Sequence, residues 1–287
     1  MTVQTNMENA HQEKLILNVH ASAPGLTERS IGAARTASGA TSYDAFSTFA
    51  EPADGMSVVD LACGNGPLTE ILVKRVGPGG QVTAVDLSDA ELASARIRLA
   101  HVATVRFLNE AADHLSLPSG SVDLVVCHMA FMLFSPLNAA VDEVARVLKR
   151  GGRFAAVIPG LREPSALFAA CAAELKASLA SEGLEGEAIS GNGVRMADVD
   201  DLKRIFPAAQ WRTDEAIATE AIAVAVQAAP EVLVERVAPA FYSYQILPEA
   251  SRRRLRERWL ALFRTASNAQ GETAFEFPLT AFRITRR

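Results

Sequence analysis

The run Val58-Val59-Asp60-Leu61-Ala62-Cys63-Gly64-Asn65-Gly66-Pro67-Leu68-Thr69 limits what this 287-residue chain can fold into more than any other segment. Val58, Val59 and Leu61 are apolar and suit a strand buried on both faces. Gly64 and Gly66 follow as a turn without Cβ atoms, where a ligand can lie against the backbone. Pro67 fits the first position of a helix, whose free N–H groups would point at whatever rests on the glycines. A strand, a glycine turn and a helix in that order predict a nucleotide-type pocket.

Two ligand classes compete for such a turn. A dinucleotide site wants Gly-x-Gly-x-x-Gly, but the third position here is Thr69. Asp60, just ahead of the turn, would repel a pyrophosphate and attract an ammonium or sulfonium charge. A second strand, Gln81 to Asp86, ends in a carboxylate about 20 positions after Gly66, where it can accept hydrogen bonds from both hydroxyls of a ribose.

The pattern Asp60-x-Ala62-x-Gly64-x-Gly66 resembles the first motif of class I S-adenosylmethionine-dependent methyltransferases, with Ala62 replacing a glycine often found there. Ala111 to Pro118, Val122 to His128 and Glu143 to Phe154 resemble later motifs in the family's order, so the likeness spans roughly residues 43–160. It implies S-adenosylmethionine as cofactor, held by Asp60, Ala62, Cys63, Gly64 and Gly66 at the turn and by Asp86 at the ribose. Leu87 and Ser88 fall where the family packs an apolar side chain on adenine, and Ala111 and Ala112 at the adenine edge. A typical member carries Asp at the position of Ala111, so Glu110 or Asp113 is the substitute acceptor. Cys127 and His128 end the fourth strand beside the same site, and Tyr43 falls where the family covers the methionine end of the cofactor.

The alternation of strands and helices predicts an α/β fold: a doubly wound, Rossmann-like sheet of about seven strands with a helical lid. Strands are expected at 57–62, 81–86, 104–108, 122–127, 153–158, 217–226 and 275–285. Helices are expected at 67–76, 89–101, 137–149, 164–181 and 198–206, with two more in 230–266 and a glycine-bearing loop at 182–193. The chain divides into an N-terminal arm or lid (1–42), a cofactor-binding core (43–160), and the rest of the sheet with an inserted substrate lid (161–287). The apolar patch Leu15-Ile16-Leu17 fits an arm, a lid element or a subunit contact. Tyr43, Phe46 and Phe49 share one helical face, a pattern of core as much as of a binding wall.

A net charge of −5 gives no electrostatic footprint for nucleic acid. The run Arg252-Arg253-Arg254-Leu255-Arg256, beside Glu249 and Glu257, reads as a solvated helix face. Cys63, Cys127 and Cys171 lack Cys-x-x-Cys spacing and read as packing residues rather than a disulfide framework, a zinc site or nucleophiles. Glu8 and Glu13 stand where a signal peptide would be apolar, and no run approaches the roughly 20 apolar residues of a membrane span. The expectation is a cytoplasmic monomer or homodimer acting on a small molecule, without metal, membrane or nucleic acid.

Methyl transfer is an in-line displacement in which the protein aligns the acceptor, excludes water and removes a proton where the acceptor needs it. His128 is the candidate base, with packing beside the cofactor as its other reading. Met129, Phe131 and Met132 after the fourth strand, and Phe241, Tyr242 and Tyr244 in the lid, are the candidate substrate contacts; fixing the lid to the sheet is their alternative role. Such walls suit a small apolar or aromatic metabolite, with O-, N- and C-methylation all open. An NAD-binding oxidoreductase is disfavoured by Asp60 and Thr69, while a non-catalytic, cofactor-binding partner subunit stays compatible with the motifs.

Overall fold

Val58 and Val59 point to opposite faces of one strand, and each face is buried in its own hydrophobic cluster. That alternation runs through the central strands: Leu124 and Val126 join the cluster of Val58, Val125 and Cys127 that of Val59. The sheet is therefore covered on both sides, as a largely parallel sheet requires. The computed structural model describes residues 14–160, 163–187, 196 and 198–287. The first thirteen residues of the arm and residues 188–193 of the glycine-bearing loop lie outside the described residues.

In chain order the elements are α1 (14–22), α2 (Leu26–Ser30), α3 (Ser42–Ala50), β1 (Ser57–Leu61), α4 (Pro67–Val76), β2 (Gln81–Asp86), α5 (Asp89–Arg98) and β3 (Val105–Asn109). Then come β4 (Val122–His128), α6 (Leu137–Val147), β5 (Leu148–Pro159), α7 (Ala166–Ser181), α8 (Val199–Ile205), β6 (Ala218–Ala228), α9 (Pro230–Val237), α10 (Glu249–Thr265) and β7 (Thr273–Thr285). The seven strands lie in the order β3-β2-β1-β4-β5-β7-β6. β1 to β5 run parallel to their neighbours, and β7 is antiparallel to both β5 and β6. The order reverses beside β1, so the carboxyl ends of β1 and β4 flank the crevice where such sheets bind ligands.

Local sequence explains how the site-bearing helices begin. Thr41 and Asp44 form a reciprocal capping box at the start of α3, each side chain accepting from the other's backbone N–H at 3.0 Å. Pro67 opens α4, and Ser88 caps α5 by accepting from the Glu91 N–H. The late insertion is a helical layer rather than a free flap. Leu255, Trp259 and Phe263 of α10 are fully buried, and the Trp259 indole N–H donates to the Cys171 carbonyl of α7 at 3.0 Å. The arginine run of α10 pairs with acids: Arg252 with Glu249, Arg254 with Glu182 and Arg256 with Glu235.

Candidate active site

β1 brings Asp60 to the edge of the crevice with 1% of its surface exposed. Thr69, in the first turns of α4, donates its hydroxyl to Asp60 Oδ2 at 2.6 Å, which gives the residue at the third-glycine position a polar task. Burial pushes the Asp60 carboxyl up to about 7; the Thr69 bond opposes that rise and the nearby Asp86 charge adds to it. A carboxyl held near its titration midpoint at neutral pH ionises readily when a cation arrives.

The two glycines of the turn serve different ends. Gly64 has φ 54°, and a Cβ there would meet only Glu91 Oε2 at 3.9 Å, so its open side faces the cleft. At Gly66, with φ 86°, a Cβ would press on Ala95 Cβ and Leu99 Cδ1 at 3.3 Å. Gly66 thus lets α5 close on the turn. Ala62 holds φ 59°, a left-handed conformation that costs a side-chain-bearing residue roughly 1–2 kcal/mol.

Asp86 organises the next part of the cleft. Its Oδ2 accepts from the Gly64 N–H and its Oδ1 from the Ser88 N–H, both at 2.8 Å, leaving lone pairs on each oxygen for ribose hydroxyls. Burial raises its pKa, against the pull of those two backbone bonds. Leu87 lies at the rim with 38% of its surface exposed, one of few large apolar side chains left open. Ala111, Ala112 and Asp113 line the far end of the cleft. Glu110 accepts from the Ser116 N–H at 2.9 Å, while Asp113 is exposed, and both carboxylates line the cleft as substitute acceptors.

At the other end, Tyr43 and His128 line the cleft with ring centres 4.3 Å apart. His128 Nε2 meets the Ser42 hydroxyl at 3.1 Å, and its buried Nδ1 has no partner among the described residues. Burial drives the imidazole down to about 3, so the ring is neutral at physiological pH and a weak proton acceptor. Cys63 lines the cleft, its thiol raised by burial and by Asp60. Cys127 does not reach the cleft: it is fully buried among Val59, Leu61 and Val125 on the opposite face, because neighbouring strand residues alternate sides.

The arm also borders this cleft. Ile16, Leu17 and His20 of α1 line it. His20 Nδ1 lies 2.7 Å from Glu91 Oε1, and its Nε2 lies 3.1 Å from the Tyr242 hydroxyl. Both Glu91 oxygens also accept from the Gly25 N–H, at 3.0 and 2.9 Å, and Glu91 itself is buried. Arm, core and late insertion therefore meet at one imidazole. Sequence reasoning did not single out His20 or Glu91; the weak signal available was an acidic residue on the buried stripe of α5.

Behind the cleft lies an apolar chamber of about 310 Å³, floored by Phe168, Phe277 and Leu279. Thr27, Met129, Leu133 and Tyr242 line both spaces and form the wall between them. Of the expected substrate contacts, Met129 and Tyr242 stand on that wall, and Met132 and Phe241 line the chamber. Two expectations are corrected. Phe131 packs with Phe154, Phe206 and Phe282 at ring distances of 5.3–5.8 Å on the other face of the sheet. Tyr244 stacks on Trp259 of α10 at 5.8 Å, a contact within the late insertion.

Residues 59–156 match the methyltransferase-domain family. A nocamycin O-methyltransferase of Saccharothrix syringae is 30% identical over 151 residues, 51% of this chain and 52% of that protein. The demethylmenaquinone methyltransferase of Lactococcus lactis is 35% identical over 101 residues, 34% of this chain and 40% of that protein. Over that segment the chain is similar to class I S-adenosylmethionine-dependent methyltransferases. It spans only about half or less of the length of these curated relatives. In fold it is similar to the YcgJ protein of Bacillus subtilis, with a TM-score of 0.53 at 20% identity over 85% of this chain and 96% of that one. It is also similar to the [4+2]-cyclase SpnF, with a TM-score of 0.50 at 15% identity over 85% of this chain and 78% of that one. The methyltransferase cofactor, S-adenosylmethionine, matches the chemistry of the cleft: a carboxyl that gains by ionising beside a cation, a carboxylate with free lone pairs, and an unfilled space over Gly64.

Among the described residues no helix is long and apolar enough to cross a membrane.

Proposed function

We propose that this chain moves a methyl group from S-adenosylmethionine to a small apolar or aromatic molecule seated in the chamber. The observation that carries the reading is the shared wall: Thr27, Met129, Leu133 and Tyr242 face both the cofactor cleft and the apolar space. When bound, the cofactor supplies an electrophilic methyl group on a sulfonium, and this chain does the rest. Asp60 offers its carboxylate to the cationic end, Asp86 holds the ribose, and Leu87 with Glu110 or Asp113 receives the adenine. Tyr43 and His128 close the methionine end, while Ile16 and Leu17 exclude water from above. The chamber holds the acceptor largely by apolar contact, so reach and orientation carry much of the rate.

Relatives differ in the acceptor atom, oxygen in the nocamycin O-methyltransferase and carbon in a ubiquinone/menaquinone biosynthesis C-methyltransferase of Shewanella pealeana. The first test is thermal stabilisation by S-adenosylhomocysteine with NAD as control. A ligand bound only by the folded state adds about 2.7 kcal/mol at 100 times its dissociation constant. Labelled methyl transfer to a panel of apolar acceptors then tests turnover. Cofactor binding without transfer to any of them would favour the reading as a non-catalytic partner subunit; stabilisation by NAD alone would overturn both.

A further inference from the structure

We infer that Tyr242, His20 and Glu91 form a proton relay at the wall between cleft and chamber, and that the acceptor is an apolar molecule carrying an ionisable hydroxyl. This rests on the methyl-transfer reading above and deepens it. Three observations carry it. Tyr242 and Thr27 are the hydroxyl-bearing residues of the shared wall, with their oxygens 3.4 Å apart. The Tyr242 hydroxyl lies 3.1 Å from His20 Nε2, while His20 Nδ1 faces Glu91 Oε1 at 2.7 Å. Glu91 is 2% exposed, and its ion-pair partner among the described residues is His20.

The tautomer follows from these contacts. A carboxylate accepts, so His20 Nδ1 carries the proton toward Glu91, and the Nε2 lone pair takes the Tyr242 O–H. Burial raises the Tyr242 pKa, which keeps the phenol protonated as that donor. Its oxygen lone pairs stay available to a hydroxyl entering from the chamber. The acceptor hydroxyl passes its proton to the Tyr242 oxygen as Tyr242 passes its own to Nε2, and the imidazolium is held against Glu91. The acceptor oxygen then bonds the methyl carbon while the carbon–sulfur bond breaks, its electron pair remaining on sulfur. The proton stays on His20, so charge and atoms balance. Tyr242 touches the acceptor and is the catalytic residue; His20 and Glu91 act through it. His128, neutral and buried, is left as a packing and positioning group.

The titratable groups facing His20 are Glu91 from α5, Asp86 from the end of β2 and Tyr242 from the segment between α9 and α10. A phenol whose ionised form is coloured reads the relay without turnover. 4-Nitrophenol is titrated spectroscopically on the full chain saturated with S-adenosylhomocysteine. The expected result is a bound probe that ionises about one pH unit or more below the free probe, as a nearby cation produces. That shift should vanish in His20→Gln, which can still hydrogen-bond Glu91 but takes no proton, and in Tyr242→Phe. A shift that survives His20→Gln overturns the relay, since a merely structural tie would behave that way. A bound probe that ionises like the free one, or a probe that does not bind, overturns the inference while S-adenosylhomocysteine binding leaves methyl transfer standing. Failure of S-adenosylhomocysteine to bind removes the underlying reading itself.

Discussion

The Thr69 hydroxyl donates to Asp60 Oδ2 at 2.6 Å in a site where neither side chain is more than 1% exposed. A hydrogen bond to the ionised form of a buried acid favours that form, so Thr69 holds the Asp60 carboxyl lower than burial alone would. Thr69→Val removes the donor with little change in shape. The variant should bind S-adenosylhomocysteine about tenfold more weakly at neutral pH, the worth of one charge-assisted bond, and recover much of that loss at high pH. Calorimetric titrations across pH would show it; a pH dependence identical to that of the parent would exclude the coupling.

The same carboxyl makes folding stability depend on pH. Its folded pKa, about 7, lies above the ordinary value of 3.8, so the folded chain holds this proton where the unfolded chain has lost it. The contribution is fully present below the ordinary value and is lost as pH rises through about 7. Asp60→Asn removes the burden of the buried charge. At pH about 8 the unliganded variant should be more stable than the parent by up to roughly 4 kcal/mol, with little difference near pH 4. Urea unfolding at the two pH values measures this. The variant should also lose cofactor affinity, which separates the residue's functional task from its structural cost.

Gly64 and Gly66 allow a paired test. Both have positive φ, so an alanine at either should cost roughly 1–2 kcal/mol of stability from conformation alone. Gly66→Ala adds contacts of 3.3 Å with Ala95 and Leu99, and should lose more stability while the folded fraction keeps its affinity for S-adenosylhomocysteine. Gly64→Ala projects its methyl into the cleft and should lose affinity beyond its loss of stability. Denaturation midpoints together with calorimetric binding discriminate the two, and equal losses of affinity would contradict the division of roles.

What was legible in the sequence were features contiguous along the chain. The strand, glycine turn and helix of 57–76, and the acid ending β2, depend on local conformation and spacing, and the structure bears out that fold. The purpose of Gly66 was not legible, because what stands before a missing Cβ is decided by how α5 packs on the turn. Phe131 was misjudged for a similar reason: composition marks an aromatic residue but not the face to which the turn after β4 sends it. Met129, at φ 61°, redirects the chain there and leaves Phe131 under the sheet. His20 and Glu91 lie 71 positions apart, and His20 and Tyr242 lie 222 apart. No periodicity links such residues, so only the fold brings them to one point.

His128 yields the remaining prediction, because its two possible roles separate under acid. Burial lowers its folded pKa to about 3 from the ordinary 6.5, so the unfolded chain takes up this proton first as pH falls. Stability is full above the ordinary value and declines as pH drops toward the folded one. Between pH 6.5 and 4.5 this single group should cost about 2–3 kcal/mol. His128→Phe keeps a ring against Tyr43 and Phe46 and removes the titrating nitrogens. The variant should lose about 1–3 kcal/mol at neutral pH, because the buried Ser42 hydroxyl is left unpaired, and show a shallower acid limb in denaturation midpoints. Its rate of methyl transfer should stay within severalfold of the parent, since an imidazole with a pKa of about 3 is too weak a base to take the acceptor's proton. A loss of 10²-fold or more, the size expected for general base catalysis, would return His128 to the chemistry.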